Sequence, residues 1–425
     1  MKKCLIIGGG LAGLSAAVFL AGKGIKVELL EASPKLGGRA YSLKDKNTSD
    51  IIDNGQHILM GCYKDTLEFI KIIDAEDNFI FQRQLKVNFL KEDFKLFRLK
   101  SKNVIYPFNL ISALLNYKAI SLTERFNLLR FFAKLYFYSN EFLNKLTVYQ
   151  WLLLEKQSEN VIRSFWEILA VGALNTNIKK ASAKIFSDIL KRMFFRGSKA
   201  STIILPRFGL TESFCINSKK YIEEKEGIIS LLEQVNEFVI SEKKIISIKT
   251  NKREITDFDY VVSAVPHFIL KNIPGADQMN LNDLDFQYST IISIHIWLKG
   301  NDLEDDFYGL ISSKIHWVFN HKSHLTLVIS DANELTELSK GELFEIAALQ
   351  LYNYLKIAKD NITSYKIIKE KRATFIPSLN ISDKRPRSET GIENFFVAGD
   401  WVNTGLPSTI ESAVRSGKLV SELIN

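Results

Sequence analysis

The pattern of hydrophobic and polar positions opens with two short apolar runs on either side of a helical segment. Residues 4–7 form an uninterrupted apolar stretch of the length of a buried parallel strand. A segment rich in alanine and leucine follows, and residues 26–30 return to a second strand-sized run. Strand, helix and strand in this order build parallel sheets. The N-terminus therefore predicts a parallel β-sheet covered by a helix.

The remaining stretches differ in the spacing of their apolar residues along the chain. Residues 81–99 alternate between polar and apolar positions, which predicts two antiparallel strands, and residues 109–196 have few glycines and a helical pattern. Further strand-sized pieces lie at 287–298, 315–320, 325–330 and 364–375, with a helical segment at 342–357. Because these pieces would complete the sheet begun before residue 100, we expect the second domain to be discontinuous in sequence.

Three glycines follow the first strand in the spacing G-x-G-x-x-G. Gly8 permits a tight turn, Gly10 lets the backbone approach a pyrophosphate, and Gly13 lets the helix lie close to the sheet. Leu11 and Ala12 stand between them, at the helix N-terminus that faces the anion. The spacing predicts a dinucleotide site.

An acidic residue stands at the position that a dinucleotide site requires. Glu31 ends the second strand 18 positions after Gly13, where a carboxylate accepts hydrogen bonds from the adenosine ribose, and Ala32 follows it. The predicted fold class is therefore α/β, with a Rossmann-like nucleotide domain and a discontinuous α+β second domain that contains an antiparallel sheet and a helical subdomain. We expect the nucleotide domain in residues 1–80, 201–270 and 386–425, the second domain's strands in 81–108 and 271–385, and the helical subdomain in 109–200.

Composition fits an ordered multi-domain enzyme. The chain has 425 residues, 46% of them hydrophobic and 24% charged, with a net charge of +8. Three widely spaced cysteines and six histidines show no metal-ligand spacing, so we expect buried thiols in a reducing compartment and no metal. Two lysines before the first apolar run are reminiscent of a signal peptide, but cleavage would destroy the glycine turn, so we expect a cytoplasmic protein. No run of 18 uncharged apolar residues predicts a transmembrane helix.

The residues after Glu31 indicate which dinucleotide binds. The segment ends in Gly38 and Arg39 and is longer than nicotinamide folds need. It resembles the flavoprotein superfamily of amine oxidases, carotenoid desaturases and squalene-associated oxidoreductases. The resemblance implies that Gly38 and Arg39 contact the pyrophosphate of FAD and that Val235 contacts the adenine through its backbone. Since no cysteine follows Cys215, the covalent tether of monoamine oxidases is absent and FAD is expected to be non-covalent.

A second signature lies near the C-terminus. Gly399 and Asp400 end a strand, and a Ser408-x-x-Glu411 spacing predicts a capping box that opens a helix. The N–H groups of such a helix suit a flavin that turns anionic on reduction. By the resemblance, Asp400 meets the ribityl-pyrophosphate region, while Thr409 and Ile410 meet the ring. The remaining cofactor-site residues predicted in this stretch are Trp401 and Pro407.

The segment D-N-G-Q-H at residues 53–57, followed by Tyr63, is similar to the hydroxysqualene dehydroxylase branch of the superfamily. In this superfamily the corresponding segment passes the flavin ring, which implies that Gly55, Gln56 and His57 lie beside it. His57 is the first candidate for the proton donor, with Tyr63 and Asp53 behind it. A buried structural histidine is the alternative for His57.

The resemblance implies a long isoprenoid substrate and reductive dehydroxylation of hydroxysqualene, with Trp401 lining the pocket of a carbocation. A phytoene desaturase, an amine oxidase and a non-enzymatic prenyl carrier are the alternatives. Residues 122–138 form an apolar and aromatic helix edged by Asn127, Arg130 and Lys134, which either packs in a bundle or lies on a membrane. We expect peripheral binding to the inner face of the cytoplasmic membrane. No nucleic-acid motif is present, and the electron donor is not identified.

Overall fold

The computed structural model describes residues 1–281 and 284–424. Its strands in this part of the chain, in order, are β1 Lys3–Ile7, β2 Lys26–Glu31, β3 Ser42–Lys44, β4 Ile51–Asp53, β5 Leu59–Met60, β6 Phe79–Phe81, β7 Lys86–Lys91, β8 Lys95–Lys100, β9 Ile203–Pro206, β10 Ile228–Leu231, β11 Val235–Ser241, β12 Lys244–Thr250, β13 Glu254–Ile255, β14 Tyr260–Ser263, β15 Tyr288–Leu298, β16 Phe307–Leu310, β17 Trp317–Asn320, β18 Leu325–Ile329, β19 Ile362–Phe375 and β20 Phe395–Val397.

The α-helices of the same ranges are α1 Leu11–Gly22, α2 Lys64–Ile72, α3 Phe108–Leu115, α4 Leu122–Lys134, α5 Asn140–Asn144, α6 Val148–Leu154, α7 Glu159–Val161, α8 Glu167–Leu174, α9 Ala183–Phe194, α10 Asn217–Glu224, α11 His267–Leu270, α12 Lys340–Leu355, α13 Ile381–Lys384 and α14 Ile410–Leu423. Wider π-helical turns at Ile162–Trp166 and Thr211–Ile216 precede α8 and α10. Short 3₁₀ turns lie at Glu76–Asn78, Ser198–Ser201, Ala276–Met279, Asn333–Leu335 and Lys359–Asn361.

A five-stranded parallel sheet carries the glycine turn. Its order is β10-β2-β1-β14-β20, so the N-terminal strand lies in the middle and the strand before the C-terminal helix lies at one edge. The predicted strands at 4–7 and 26–30 are confirmed as β1 and β2. Helices α1 and α14 pack so closely that a Cβ at Gly417 would lie 2.1 Å from Oγ of Ser15, and the absence of a side chain at Gly417 permits this contact. The first and last helices of the chain therefore pack against each other in one layer.

A seven-stranded sheet of order β19-β15-β18-β17-β16-β7-β8 forms the second layer. All its pairs are antiparallel except β16 with β7. It combines strands from before residue 100 and after residue 287, as the alternating patterns predict. Strand β16 was not predicted, because its four residues include Gly309 and are too few to show a period.

The two faces of this sheet contact different parts of the protein, because successive side chains of a strand point to opposite faces. Leu327 packs towards α12 in a core with Leu343 and Leu351. Its neighbour Val328 points the other way and lines a large cavity. The sheet is therefore covered by a helix on one side and open to the cavity on the other.

The hydrophobic pattern of residues 228–239 predicts a single strand, but the structure has two strands there. Leu232 adopts a positive φ of 56°, which turns the chain between β10 and β11. Strand β10 then pairs with β2, whereas β11 joins β12 and β13 in a separate antiparallel sheet. The apolar run continues through this turn, so hydrophobicity alone does not reveal it.

The helical prediction for residues 109–196 is confirmed by α3 to α9. Trp151 and Trp166 are fully buried in their midst, and Phe131 of α4 contacts both rings at centroid distances of 4.7 and 4.6 Å. One face of α4 is therefore core. Phe126 on the same helix is 57% exposed, so the other face is not.

Candidate active site

The glycine turn places its three glycines in different roles. A Cβ at Gly13 would lie 1.9 Å from the carbonyl oxygen of Gly8, so Gly13 serves the contact between α1 and the turn. At Gly10, by contrast, the nearest atom to a Cβ would be Cα of Gly38 at 3.8 Å. Gly10 lines the cavity and Gly13 does not. The backbone at Gly10 is thus open to a ligand.

Glu31 is fixed by backbone amides at the end of β2. Its carboxylate accepts hydrogen bonds from the N–H of Gly9 at 2.6 Å and from the N–H of Ser33 at 2.7 Å. It lines the cavity together with Ala32. The glycine turn and the acidic residue are therefore held together before any ligand is considered.

An ion pair joins the two ends of the chain at the cavity wall. Nη2 of Arg39 donates to Oδ1 of Asp400 at 2.5 Å, and Nη1 of Arg39 donates to the carbonyl of Ala373 at 2.7 Å. The hydroxyl of Ser408 donates to the other oxygen of Asp400. Burial acts to raise the pKa of Asp400, but the charge and hydrogen bond of Arg39 outweigh it and hold that pKa below its ordinary value. Asp400 is therefore an anion.

The C-terminal helix starts one residue later than the predicted capping box, so that prediction is wrong. Thr409 is the N-cap and accepts from the N–H of Ser412 at 3.2 Å. Ser408 is engaged by the charged acceptor Asp400 instead. Glu411 reaches another helix, where its carboxylate accepts from the N–H groups of Asp65 and Thr66 at the start of α2. The carboxylate of Glu411 therefore accepts hydrogen bonds at the start of α2 and does not cap its own helix, α14.

A buried arginine that sequence reasoning missed shapes the loop between β20 and α14. Arg385 is 5% exposed and donates to the carbonyls of Asp400 at 2.9 Å and Leu406 at 2.5 Å, among others in this loop. Burial lowers its pKa to about 10. In the sequence, Arg385 is a lone arginine outside any motif. Its role depends on hydrogen bonds to residues 15 to 21 positions away. Arg385 thus positions Asp400 without facing the cavity.

Trp401 is also fixed on this loop. Its indole Nε1 donates to the carbonyl of Val265 at 3.2 Å, and the ring lines the cavity. Gly399 must be a glycine here, because its φ is 147° and a Cβ would lie 2.5 Å from the indole nitrogen. The loop therefore holds an aromatic face in one orientation.

The predicted segment 53–57 divides between structural and cavity-facing residues. Asp53 lies outside the cavity lining, and its Oδ1 accepts from the Ser42 hydroxyl at 2.7 Å and the Leu210 N–H at 2.9 Å. Burial raises its pKa to about 6. Asp53 therefore fastens β4 to a neighbouring loop and does not face the cavity. Gly55 and Gln56 do line the cavity.

His57 and Tyr63 both line the cavity. Burial, with a smaller effect of the nearby Arg39 cation, lowers the pKa of His57 to about 4. At pH 7 only about one imidazole in 10³ then carries a second proton, so His57 is a hydrogen-bonding group and not an imidazolium acid. Burial also raises the pKa of the Tyr63 phenol well above its ordinary value, so Tyr63 keeps its proton.

The cavity has a volume of about 970 Å³ and collects most of the predicted site. The predicted residues that line it are Gly8, Gly10, Leu11, Ala12, Glu31, Ala32, Gly38, Arg39, Gly55, Gln56, His57, Tyr63, Val235, Gly399, Asp400, Trp401, Pro407, Thr409 and Ile410. Gly13 and Asp53 are the two that do not. Lining residues that sequence reasoning missed include Asn54, Arg192, Gln234 and Glu370, which approach from four separate segments.

One part of the same cavity is apolar. Its wall is made by strands of the seven-stranded sheet and by α8 and α9, and comprises Leu85, Val87, Phe89, Leu99, Phe165, Ile168, Leu169, Ile189, Met193, Phe194, Trp317, Phe319 and Val328. Such a wall binds a hydrocarbon by burial of its surface and offers it no polar partners. The glycine cradle and the apolar wall belong to one continuous space.

The residues present fit FAD. The open backbone at Gly10 and the Arg39 guanidinium suit a pyrophosphate, and the first-turn N–H groups of α14 suit the carbonyl edge of a flavin. Metal chemistry has no such support. Within residues 1–281 and 284–424, no group of three His, Cys, Asp or Glu side chains could hold a metal ion. The three cysteines are free thiols and buried, as expected.

A family profile and individual relatives match nearly the full length of the chain. The profile of the family described as flavin containing amine oxidoreductase matches residues 11–425. A hydroxysqualene dehydroxylase of Zymomonas mobilis is 27% identical over 98% of both chains, and a 15-cis-phytoene desaturase of Synechococcus elongatus is 24% identical over 99% of this chain and 95% of its own.

Solved structures share the fold. An oxidoreductase from Methanosarcina mazei superposes with a TM-score of 0.74 at 17% identity, covering 99% of this chain and 100% of its own. A putrescine oxidase superposes with a TM-score of 0.70 at 14% identity, covering 100% of this chain and 98% of its own. The α/β fold class is confirmed, and FAD is the cofactor. The chain belongs to the flavin containing amine oxidoreductase family.

Proposed function

We propose that the protein removes the hydroxyl group of hydroxysqualene reductively and so forms squalene. The observation that carries this proposal is the continuity of the FAD cradle with an apolar wall in one cavity of about 970 Å³. The near full-length similarity to hydroxysqualene dehydroxylases supports the choice of substrate. A non-enzymatic prenyl carrier would have no use for the C-terminal cofactor loop that Asp400 and Thr409 build.

The reaction breaks the allylic C–O bond, releases the hydroxyl as water after it takes up a proton, and adds a hydride to the carbon. Reduced FAD would supply the hydride when it is bound, and its return to the oxidised form would release the proton that the hydroxyl takes up, so that hydroxysqualene and FADH2 give squalene, water and FAD. Neutral His57 and protonated Tyr63 donate hydrogen bonds to the departing oxygen, and such donors contribute when they act on developing charge. The apolar wall, including Phe165 and Phe194, keeps water from capturing the carbocation, and the face of Trp401 stabilises it.

The entry of such a substrate involves a membrane surface. Exposed apolar side chains stand close to Tyr106 and Tyr136 in the sequence, with Ile105, Phe108 and Phe137 at 78%, 60% and 86% exposure. Tyr136 contacts Phe195 at a ring distance of 4.7 Å. The neighbouring Phe194 lines the cavity and accepts a hydrogen bond from Tyr106. This apolar surface (Ile105, Phe108, Tyr136 and Phe137) therefore lies next to a cavity wall.

We infer that the apolar surface binds the cytoplasmic face of the membrane peripherally. Exposed Arg130 on α4 is available to anionic lipid headgroups, whereas Lys134 is partly engaged by Glu155 at 2.8 Å. Within the described part of the chain, no helix is long and apolar enough to cross a membrane.

Product analysis tests the proposed reaction. Purified protein, reduced anaerobically, is incubated with hydroxysqualene, and oxidised protein is incubated with phytoene. We expect squalene in the first mixture and no desaturated carotenoid in the second. The reverse result would assign the protein to the phytoene desaturases, which are also similar over nearly the full chain.

A further inference from the structure

Three arginines gather beside one region of the cavity. Arg192 lies near the end of α9 and lines the cavity, and Arg196 follows one turn later at the protein surface. Arg415 lies on α14, four residues after Glu411, which also lines the cavity. This arginine cluster (Arg192, Arg196 and Arg415) extends from the cavity to solvent.

The arginine cluster is only partly balanced by carboxylates. In residues 1–281 and 284–424, neither Arg192 nor Arg196 has a hydrogen-bond or ion-pair partner. Arg415 approaches only Asp65, at 3.7 Å, and its buried Nε has no partner in the same ranges.

The acids nearest to the cluster are engaged by other groups. Asp188 pairs with Lys184, and Asp65 is bound by Lys418 at 3.0 Å. Both oxygens of Glu411 accept backbone N–H groups. In the described ranges none of these acids pairs directly with Arg192 or Arg196, so part of the positive charge of the cluster is left without a direct partner.

The electrostatic cost of this arrangement is visible at Arg192. Burial lowers the pKa of its guanidinium, and the charges of Arg415 and Arg196 lower it further, against a smaller opposing effect of Asp188 and Glu411. Three like charges near a partly buried site are unfavourable unless an anion offsets them. An anionic ligand would relieve this repulsion.

The neighbours of Arg192 indicate what kind of anion fits. Ile189 and Met193 on the same helix line the cavity, and Met193 packs in a small apolar cluster with Cys62. A guanidinium fork matches phosphate oxygens in geometry and charge. The fitting ligand therefore has a phosphate or diphosphate head and an apolar tail.

We propose that the arginine cluster binds the phosphate head of an isoprenoid phosphate or diphosphate ester whose tail enters the apolar part of the cavity. This inference rests on the proposed function in taking the cavity as an isoprenoid site. It differs from the FAD pyrophosphate cradle, which is built by Gly8, Gly10 and Arg39 on other elements. The cavity would then admit both an isoprenoid alcohol and its phosphate ester.

Isothermal titration of the FAD-loaded protein tests the proposal with three probes: geranylgeranyl diphosphate, geranylgeraniol, and vesicles of phosphatidylglycerol. FAD loading keeps its own pyrophosphate cradle filled. We expect the diphosphate to bind at least tenfold more tightly than the alcohol. Arg192→Gln and Arg415→Gln should each weaken diphosphate binding about tenfold or more, Arg192→Lys should weaken it less, and Arg98→Gln, at an exposed arginine on β8, should not change it.

Flavin absorbance and thermal unfolding of each variant verify that it is folded. Equal affinity for alcohol and diphosphate, or folded Arg192→Gln and Arg415→Gln variants that bind the diphosphate normally, would overturn the proposal. Vesicle binding that is lost in Arg192→Gln while diphosphate binding stays normal would assign the cluster to a lipid headgroup instead, which also overturns it. Squalene formation by the wild type is measured in parallel, so that a failed inference is distinguished from a failed function.

Discussion

Arg39 and Asp400, 361 positions apart in the chain, form a hydrogen-bonded ion pair of 2.5 Å at the wall of the FAD cavity. Arg39 follows β2 and Asp400 follows β20, so the pair connects the N-terminal glycine signature to the C-terminal loop. Asp400 is also bound by Ser408, and its backbone carbonyl accepts from Arg385. One carboxylate therefore organises both halves of the cofactor site.

Replacement of this carboxylate should reduce stability. Asp400→Asn leaves Arg39 beside a neutral amide, and loss of a charge-assisted hydrogen bond costs about 1.5 to 3 kcal/mol. We expect the free energy of unfolding in urea to fall by about that amount and FAD to dissociate more readily. The control is Asp93→Asn, whose exposed pair with Lys356 has a similar distance of 2.9 Å and should contribute little. Equal stability of the two variants would show that the buried pair has no special role.

The two glycines of the turn should respond in opposite ways to substitution. A Cβ at Gly10 has room in the protein itself, and the valine side chain of Gly10→Val fills the space at the FAD backbone cradle, so the variant should fold and purify without flavin absorbance near 450 nm. Gly13→Ala collides with the Gly8 carbonyl and should lower the melting temperature, since overpacking typically costs about 1 to 3 kcal/mol.

Gly300→Val is the matched control, because no atom lies within 4 Å of a Cβ there. It should retain both flavin and stability. A yellow Gly10→Val protein would contradict the placement of the pyrophosphate.

The features that can be predicted from the sequence are those set by residues close together in the chain. The strands β1 and β2, the Gly10 cradle and Glu31 follow from residues within one short segment. The orientation of Asp53 could not be predicted, because a carboxylate in a motif does not reveal whether it faces a cavity or, as here, Ser42.

Arg192 and Arg385 were missed for another reason. Arg385 acts through hydrogen bonds to a loop 15 to 21 positions away, and Arg192 reaches the cavity only because of how α9 packs in the fold. Neither residue belongs to a motif. Helix α14 begins one residue later than predicted, because the hydroxyl of Ser408 donates to Asp400. Long-range polar contacts thus account for most of the differences.

His57 should act without titrating near neutral pH. Its pKa of about 4 lies below the ordinary value of 6.5, so the neutral form is favoured in the folded protein. The stability that it contributes is therefore complete above pH 6.5 and is lost as the pH falls towards 4. The single-turnover rate with hydroxysqualene should accordingly show no inflection near pH 6.5.

His57→Phe removes the hydrogen-bond donor and should slow turnover about 10- to 100-fold while flavin absorbance is kept. His57→Gln, which keeps an N–H donor, should be affected less. An inflection near pH 6.5 that disappears in His57→Phe would instead identify a cationic acid.

Membrane binding should depend on the apolar surface. Phe137→Ser and Ile105→Ser remove side chains that are 86% and 78% exposed and should reduce flotation with anionic liposomes. Leu349→Ser, at a 57% exposed leucine on α12, is the control and should float like the wild type. Binding of the wild type should weaken as salt is added. Wild-type protein that stays at the bottom at low salt would contradict the membrane proposal.

The most direct test of the central claim follows the hydride. Protein whose FAD is reduced in D2O is mixed anaerobically with hydroxysqualene in the same D2O buffer, so that the exchangeable hydrogen of the reduced flavin stays deuterium, and the product is analysed by mass spectrometry. The account predicts squalene that carries one deuterium at the carbon that lost the hydroxyl group. Failure to form squalene, or squalene without deuterium when the reduced flavin is shown to be labelled, would contradict it.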